Sequence, residues 1–210
     1  MAYEYDGFYA RFDTASKRDG EALNGADFLT GDYFVIEIRI EDGKSVVWLV
    51  NKFGADLGFL NNDDSRRVQL SIARQQTVKA LLSYIAYTSD PEPGHYWGEV
   101  AIVSYDPQYE EQLGQFCTKV SNKLKEGVRP VLELSSPDVK RLLEEPHWMV
   151  KENLPLPKFP LGTAVIKSHQ SLLDKTIEQG RKGNIGCYIV SWAFIIAAVV
   201  GAFLAIRGLL

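Results

Sequence analysis

The chain has 210 residues, is 46% hydrophobic, and sets 23 Lys and Arg against 27 Asp and Glu for a net charge of −4. All of the acidic residues precede Arg181, whereas Arg181, Lys182 and Arg207 follow Gly180, so the part before residue 181 balances 20 basic against 27 acidic side chains, or −7. That excess lacks the basic footprint of most nucleic-acid binders, and two cysteines, Cys117 and Cys187, leave no room for a disulfide framework.

The opening MAYEYDGFYARFD has no basic segment followed by an apolar run, so no signal peptide is predicted. Tyr3, Tyr5, Phe8, Tyr9 and Phe12 suggest a first strand whose aromatics pack on a core, ahead of the polar stretch 14–20. The clearest strand follows over 33–41, where Phe34, Ile36, Ile38 and Ile40 alternate with Val35, Glu37, Arg39 and Glu41, a period of two that buries one face. Asp42-Gly43 is a hairpin turn, Val46–Val50 returns as a more buried strand, and Leu57–Leu60 adds a third after the turn at 51–54. Sequential strands with short turns make an antiparallel meander.

Asn61, Asn62, Asp63, Asp64 and Ser65 then cap a helix, their side chains accepting the unpaired N–H groups of its first turn. The same acidic run lacks the alternating ligands, central Gly and closing Glu of a calcium loop. Val68, Ile72 and Leu70 are expected on the inner helix face. Residues 77–88 read as a helical extension or a long strand, with the strand favoured because the break at 89–94 and the β-rich 96–105 then complete a second hairpin. Asp106-Pro107 opens a helix running to about Lys125, with Leu113, Phe116, Val120 and Leu124 facing the core. Gly127 ends it, 128–134 is expected as a strand, and Ser136-Pro137-Asp138 starts a short helix with Val139, Leu142 and Leu143 inward, stopped by Pro146.

Pro146, Pro155, Pro157 and Pro160 mark 146–162 as an extended, stiff linker, or else as a docking motif for a proline-reading domain. Residues 163–182 are expected to form a juxtamembrane amphipathic helix with Val165, Ile166, Leu172, Leu173 and Ile177 on one side. Then comes the run 185–206, without one charge, bounded by Arg181 and Lys182 before it and Arg207 after it. At about 1.5 Å per residue it reaches roughly 33 Å, enough to cross a bilayer core of about 30 Å. A tail-anchored, single-pass protein is predicted, and the positive charges upstream of the span place the N-terminal domain on the cytoplasmic side. Within the span Ala193, Ala197, Gly201 and Ala205 recur every fourth residue, a stripe suited to helix self-association and hence to a homodimer.

Nothing in the sequence points to catalysis. His95, His147 and His169 have no partner at metal-ligand spacing, no phosphate-cradling loop or nucleophile elbow occurs, and the adjacent carboxylates Glu110-Glu111 and Glu144-Glu145 diverge on their helices. No catalytic residue, cofactor or metal is expected, although an enzyme site assembled in space stays open.

Residues 45–105 nonetheless resemble the HIRAN family of small β-barrel modules. The resemblance rests on the strand Val46–Val50, on Ala55-Asp56-Leu57-Gly58-Phe59-Leu60, on the following helix with Arg66 and Arg67, and on the hairpin ending in Gly98-Glu99-Val100-Ala101-Ile102. It implies an OB-like barrel and, in some members, binding of single-stranded DNA ends. Phe59, Tyr84, Tyr87, Tyr96 and Trp97 would then be stacking candidates, with Arg66, Arg67 and Arg74 contacting the backbone. The expected architecture is thus an α+β domain over 1–145, built of antiparallel hairpins curling into a small, partly open barrel with two or three packed helices, plus a C-terminal transmembrane helix. The expected function is a membrane-tethered, non-enzymatic binding or adaptor module for a protein partner, with a tethered nucleic-acid binder as the alternative.

Overall fold

The computed structural model describes residues 5–25 and 27–181. Residues 1–170 and 171–210 form two separate units. The run 185–206, with the stripe Ala193, Ala197, Gly201 and Ala205, lies outside the described residues, among which no helix is long and apolar enough to cross a membrane.

Six antiparallel strands make the first unit's frame: β1 (Tyr5–Asp13), β2 (Tyr33–Glu41), β3 (Lys44–Val50), β4 (Asp56–Leu60), β5 (Thr77–Thr88) and β6 (His95–Tyr105). Their order is β2-β3-β4-β1-β6-β5, and β2 pairs back onto β5 through Tyr33–Leu81 and Phe34–Ala80. The barrel is therefore closed, not partly open. Closure follows from sequence alternation, because the inward residues Phe8, Phe12, Phe34, Leu49, Leu82 and Ile102 fill one continuous apolar interior. Residues 77–88 are a strand, as favoured. Two glycines permit the tight curvature. At Gly98 a side chain would strike the Tyr84 carbonyl and the Phe12 ring, and Gly58, at φ 153°, sits against the Asp13 backbone. A bulge between Leu82 and Tyr84 sends Ser83 and Tyr84 both to the outer face, where an unbroken strand would have alternated them.

Helix α1 (Lys17–Ala22) comes from the polar stretch after β1 and is capped by Ser16. Helix α2 (Asn62–Ala73) starts as the sequence predicts, with the Asn61 side chain accepting from the Asp64 N–H at 2.9 Å. Its inner face differs from expectation: Leu70 and Ile72 are exposed, and Ser65, Val68 and Ser71 point inward. The serines hydrogen-bond the frame, Ser65 to the Val47 N–H and Leu60 carbonyl and Ser71 to Ser104, so the helix seats on small hydroxyls and turns its larger residues out.

Helices α3 (Glu110–Lys125) and α4 (Ser136–Glu144) cover the outer face of β1, β5 and β6, burying Leu113, Phe116, Cys117, Val120, Leu124 and Leu142. A capping box at Ser135 and Asp138 opens α4. Burial pushes the Cys117 thiol up to about 12, so it is an inert packer. The strand expected at 128–134 shrinks to β7 (Arg129–Pro130), paired with β8 (Asn153–Leu154). The Tyr5 and Tyr9 hydroxyls occupy neighbouring carbonyls, donating to Leu132 and Pro130.

The stretch expected as linker and juxtamembrane helix departs most. Residues 146–162 lie on the barrel, with Phe159 packed against Tyr84 and Trp97 at 5.6 and 5.9 Å between ring centres. Residues 163–182 are not one helix. Thr163–Lys167 is a strand, β9, paired with β5 from Ile85 to Thr88. Thr163, Val165 and Ile166 are β-branched, and the distal half of β5 offers them an edge beyond its short pairing with β2. The first unit thus runs past 145 to Gln170, and a shorter helix, α5 (Leu172–Arg181), belongs to the second.

Candidate functional site

The sequence-predicted ligand surface divides into separate places. Arg66, Arg67 and Arg74 are exposed on α2. Arg67 stacks over the Phe8 ring at 3.7 Å and forks onto Asp6, its Nε donating to Oδ2 at 2.7 Å. The hydrogen bond to Asp6 raises the guanidinium's proton affinity further, so this cation is permanently charged and locally neutralised. Beside it opens a cleft of about 390 Å³ lined by Tyr5, Asp6, Arg67, Ser71, Arg74 and Gln76, adjoining another of about 340 Å³ that shares Tyr5, Asp6 and Arg67 and reaches Glu133.

The aromatic candidates sit elsewhere. Phe59, half-buried, packs against Trp48 at 5.3 Å, and Arg39 lies over that indole at 4.6 Å. Trp97 is 4% exposed, enclosed by Tyr84, Phe159 and Arg11, and its indole N–H donates to Thr88 at 2.8 Å. Tyr84 is 2% exposed. Tyr87 and Tyr96 pack on one another with ring centres 4.8 Å apart and planes tilted by 54°, both half-buried. Trp97 and Phe59 both pair across from Asp13, whereas the arginine cluster meets Asp6. Seven residues of strand separate those two positions, about 23 Å. Arginines and aromatics therefore do not form one strand-tracking groove, and Tyr84 and Trp97 present no open ring face.

Sequence reasoning missed an enclosed ion pair. Glu99 of β6 and Arg129 of β7 form a bidentate pair at 2.9 and 2.8 Å, each side chain only 10% exposed. Ser83, turned outward by the bulge, donates to the same carboxylate at 3.0 Å, Arg129 stacks over Tyr9 at 4.4 Å, and its remaining Nη donates to the Pro155 carbonyl. Burial pushes the Glu99 carboxyl above the usual range, against the opposing pull of Arg129 and Ser83. Burial likewise raises the Tyr9 phenol. Every edge of the pair is engaged with protein, so its role is a clasp between the barrel and the 146–162 segment. A lone acid inside the apolar run Gly98–Val103 was the available signal; its partner, far along in a loop, was not.

A second clasp is Lys167, whose ammonium donates to the carbonyls of Leu23, Gly25 and Phe28 at 3.0, 2.9 and 2.7 Å. Gln170 adds a bond to the Thr30 carbonyl at 3.1 Å. Among the described residues no three His, Cys, Asp or Glu side chains converge on a metal-sized site. No family model, curated protein or solved structure matches this chain.

Proposed function

We propose that the protein is a single-pass, tail-anchored membrane protein whose cytoplasmic barrel is a non-enzymatic binding or adaptor module for a protein partner. The observation that carries this reading is the uncharged run 185–206, bounded by Arg181 and Lys182 before it and Arg207 after it. The clasps at Arg129, Lys167 and Gln170 support it further, because they leave only residues 171–184 between the barrel unit and the apolar run. Fourteen residues span at most about 50 Å, even fully extended, so the domain works on a short leash. Its acidic balance repels an anionic leaflet and keeps its surface available to partners.

The alternative is a membrane-tethered, HIRAN-like nucleic-acid binder, favoured by the clefts beside Arg67 and Arg74. Fluorescence anisotropy of single-stranded DNA and RNA, titrated with the detergent-solubilised full chain at low and physiological salt, separates the two. The adaptor reading predicts no salt-sensitive binding. Tight binding that weakens steeply with salt and disappears in Arg66→Ala/Arg74→Ala would replace it with the nucleic-acid reading.

A further inference from the structure

Strand β2 pairs with β5 only at Tyr33 and Phe34, and beyond them the edge facing away from β3 has no strand partner among the described residues. This open edge is long and apolar, with Val35, Ile38 and Ile40 exposed by 55, 48 and 79%. Open edges of this kind recruit another strand unless they are blocked. Charged side chains are the usual block, and β2 carries three: Glu37, Arg39 and Glu41.

Here the charges have an order. A twofold axis normal to a sheet keeps each face on its own side, so in an antiparallel pair of β2 strands a residue meets only others of its own face. With Ile38 at the axis, Glu37 of each copy lies opposite Arg39 of the other, Ile36 opposite Ile40, and Ile38 opposite itself. Both charged pairs attract, and three apolar pairs stack on the opposite face. Centring on Glu37 or Arg39 sets like charges against each other, and centring on Ile36 runs into Phe34, already paired with Ala80. Centring on Ile40 leaves Ile36 without a mate. Arg39 is fixed on the outer face by Asp56 at 2.9 and 2.8 Å and by Glu37 of its own strand at 3.1 and 2.7 Å, so about the axis each copy's Glu37–Arg39 pair meets the other's and the four charges alternate.

We infer that the open edge of β2 is a self-association surface whose occupant is the β2 strand of a second copy of this chain, joined in antiparallel register about Ile38. The two barrels then share one continuous sheet. This surface is distinct from the small-residue stripe in 185–206, and the two associations are separable.

The test is the oligomeric state of the detergent-solubilised full chain, by light scattering, with Gly201→Ile in every sample so that the stripe does not report. The parent should dimerise, and Glu37→Arg and Arg39→Glu should each weaken the dimer by about tenfold or more, because each turns two attractive pairs into repulsive ones. An equal mixture of the two reversed chains should dimerise again, as should the double variant Glu37→Arg/Arg39→Glu. Ile40→Lys, at a site too exposed to disturb folding, should weaken the dimer while leaving the melting temperature unchanged at concentrations low enough that parent and variant are both monomeric. A monomeric parent, a dimer indifferent to both reversals and to Ile40→Lys, or a mixture no better than its components would overturn the proposal.

Discussion

Strands β5 and β2 meet to close the barrel and then treat their remaining edges differently. The distal half of β5 receives β9, and its outer face disappears under Phe159 and Val165. The rest of β2 receives no strand among the described residues, and Ile38 and Ile40 are exposed. The backbone hazard is the same on both strands. On β5 it is removed by a dedicated segment of chain, residues 146–170, held by buried ionic and aromatic contacts. On β2 it is left to side-chain charge. The covered edge is therefore architecture, and the other is the edge we propose for self-association.

If that contrast is sound, damage to the cover should be costly in graded steps. Arg129→Met comes first, because it strands a buried carboxylate; a loss of about 3–5 kcal/mol is expected on denaturant unfolding. Much of that should return in Glu99→Gln/Arg129→Met, and a loss under about 1 kcal/mol for the single variant would mean that the pair is no clasp. Phe159→Ala, at a half-buried ring, should cost about 2 kcal/mol, with faster amide exchange confined to β9 and the end of β5. Lys167→Met leaves three carbonyls without their cation and should cost about 1–2 kcal/mol; exchange in the 23–28 loop should rise with it. The smallest effect is a slope in pH. Because the folded Glu99 carboxyl titrates above its ordinary 4.5, the native state keeps a proton there that the unfolded chain has already released. Its contribution is full below pH 4.5 and declines as pH rises through the folded value, so stability should fall with pH across that window, and Glu99→Gln should flatten the fall.

Local patterns were legible and distant meetings were not. Alternation in 33–41, the β-forming residues of 96–105, the cap at Asn61, the helix start at Ser136-Pro137-Asp138, and the helical spacing of Leu113, Phe116, Val120 and Leu124 all led to the observed elements, because each depends on neighbours a few residues apart. The alternation of β2 identified its inward face, yet nothing in it revealed that the strand overruns the barrel and leaves Ile38 and Ile40 on that face uncovered. Five residues such as Thr163–Lys167 satisfy a strand and a helix equally, and only the edge of β5 decides between them. Trp97 read as a stacking platform since the ring that covers it, Phe159, arrives about sixty residues later. Helix α1 was lost in a polar stretch with no apolar period.

We propose that the run 185–206 holds this closed, self-clasped barrel at a membrane. The most direct measurement is alkaline carbonate extraction of membranes from cells making the full chain or a chain ending at Asn184, followed by protease treatment of intact vesicles. The full chain should stay in the membrane pellet with its barrel open to protease from the cytoplasmic side, and the shortened chain should be soluble and folded. Recovery of the full chain in the soluble fraction, or of both chains in the pellet, would contradict it.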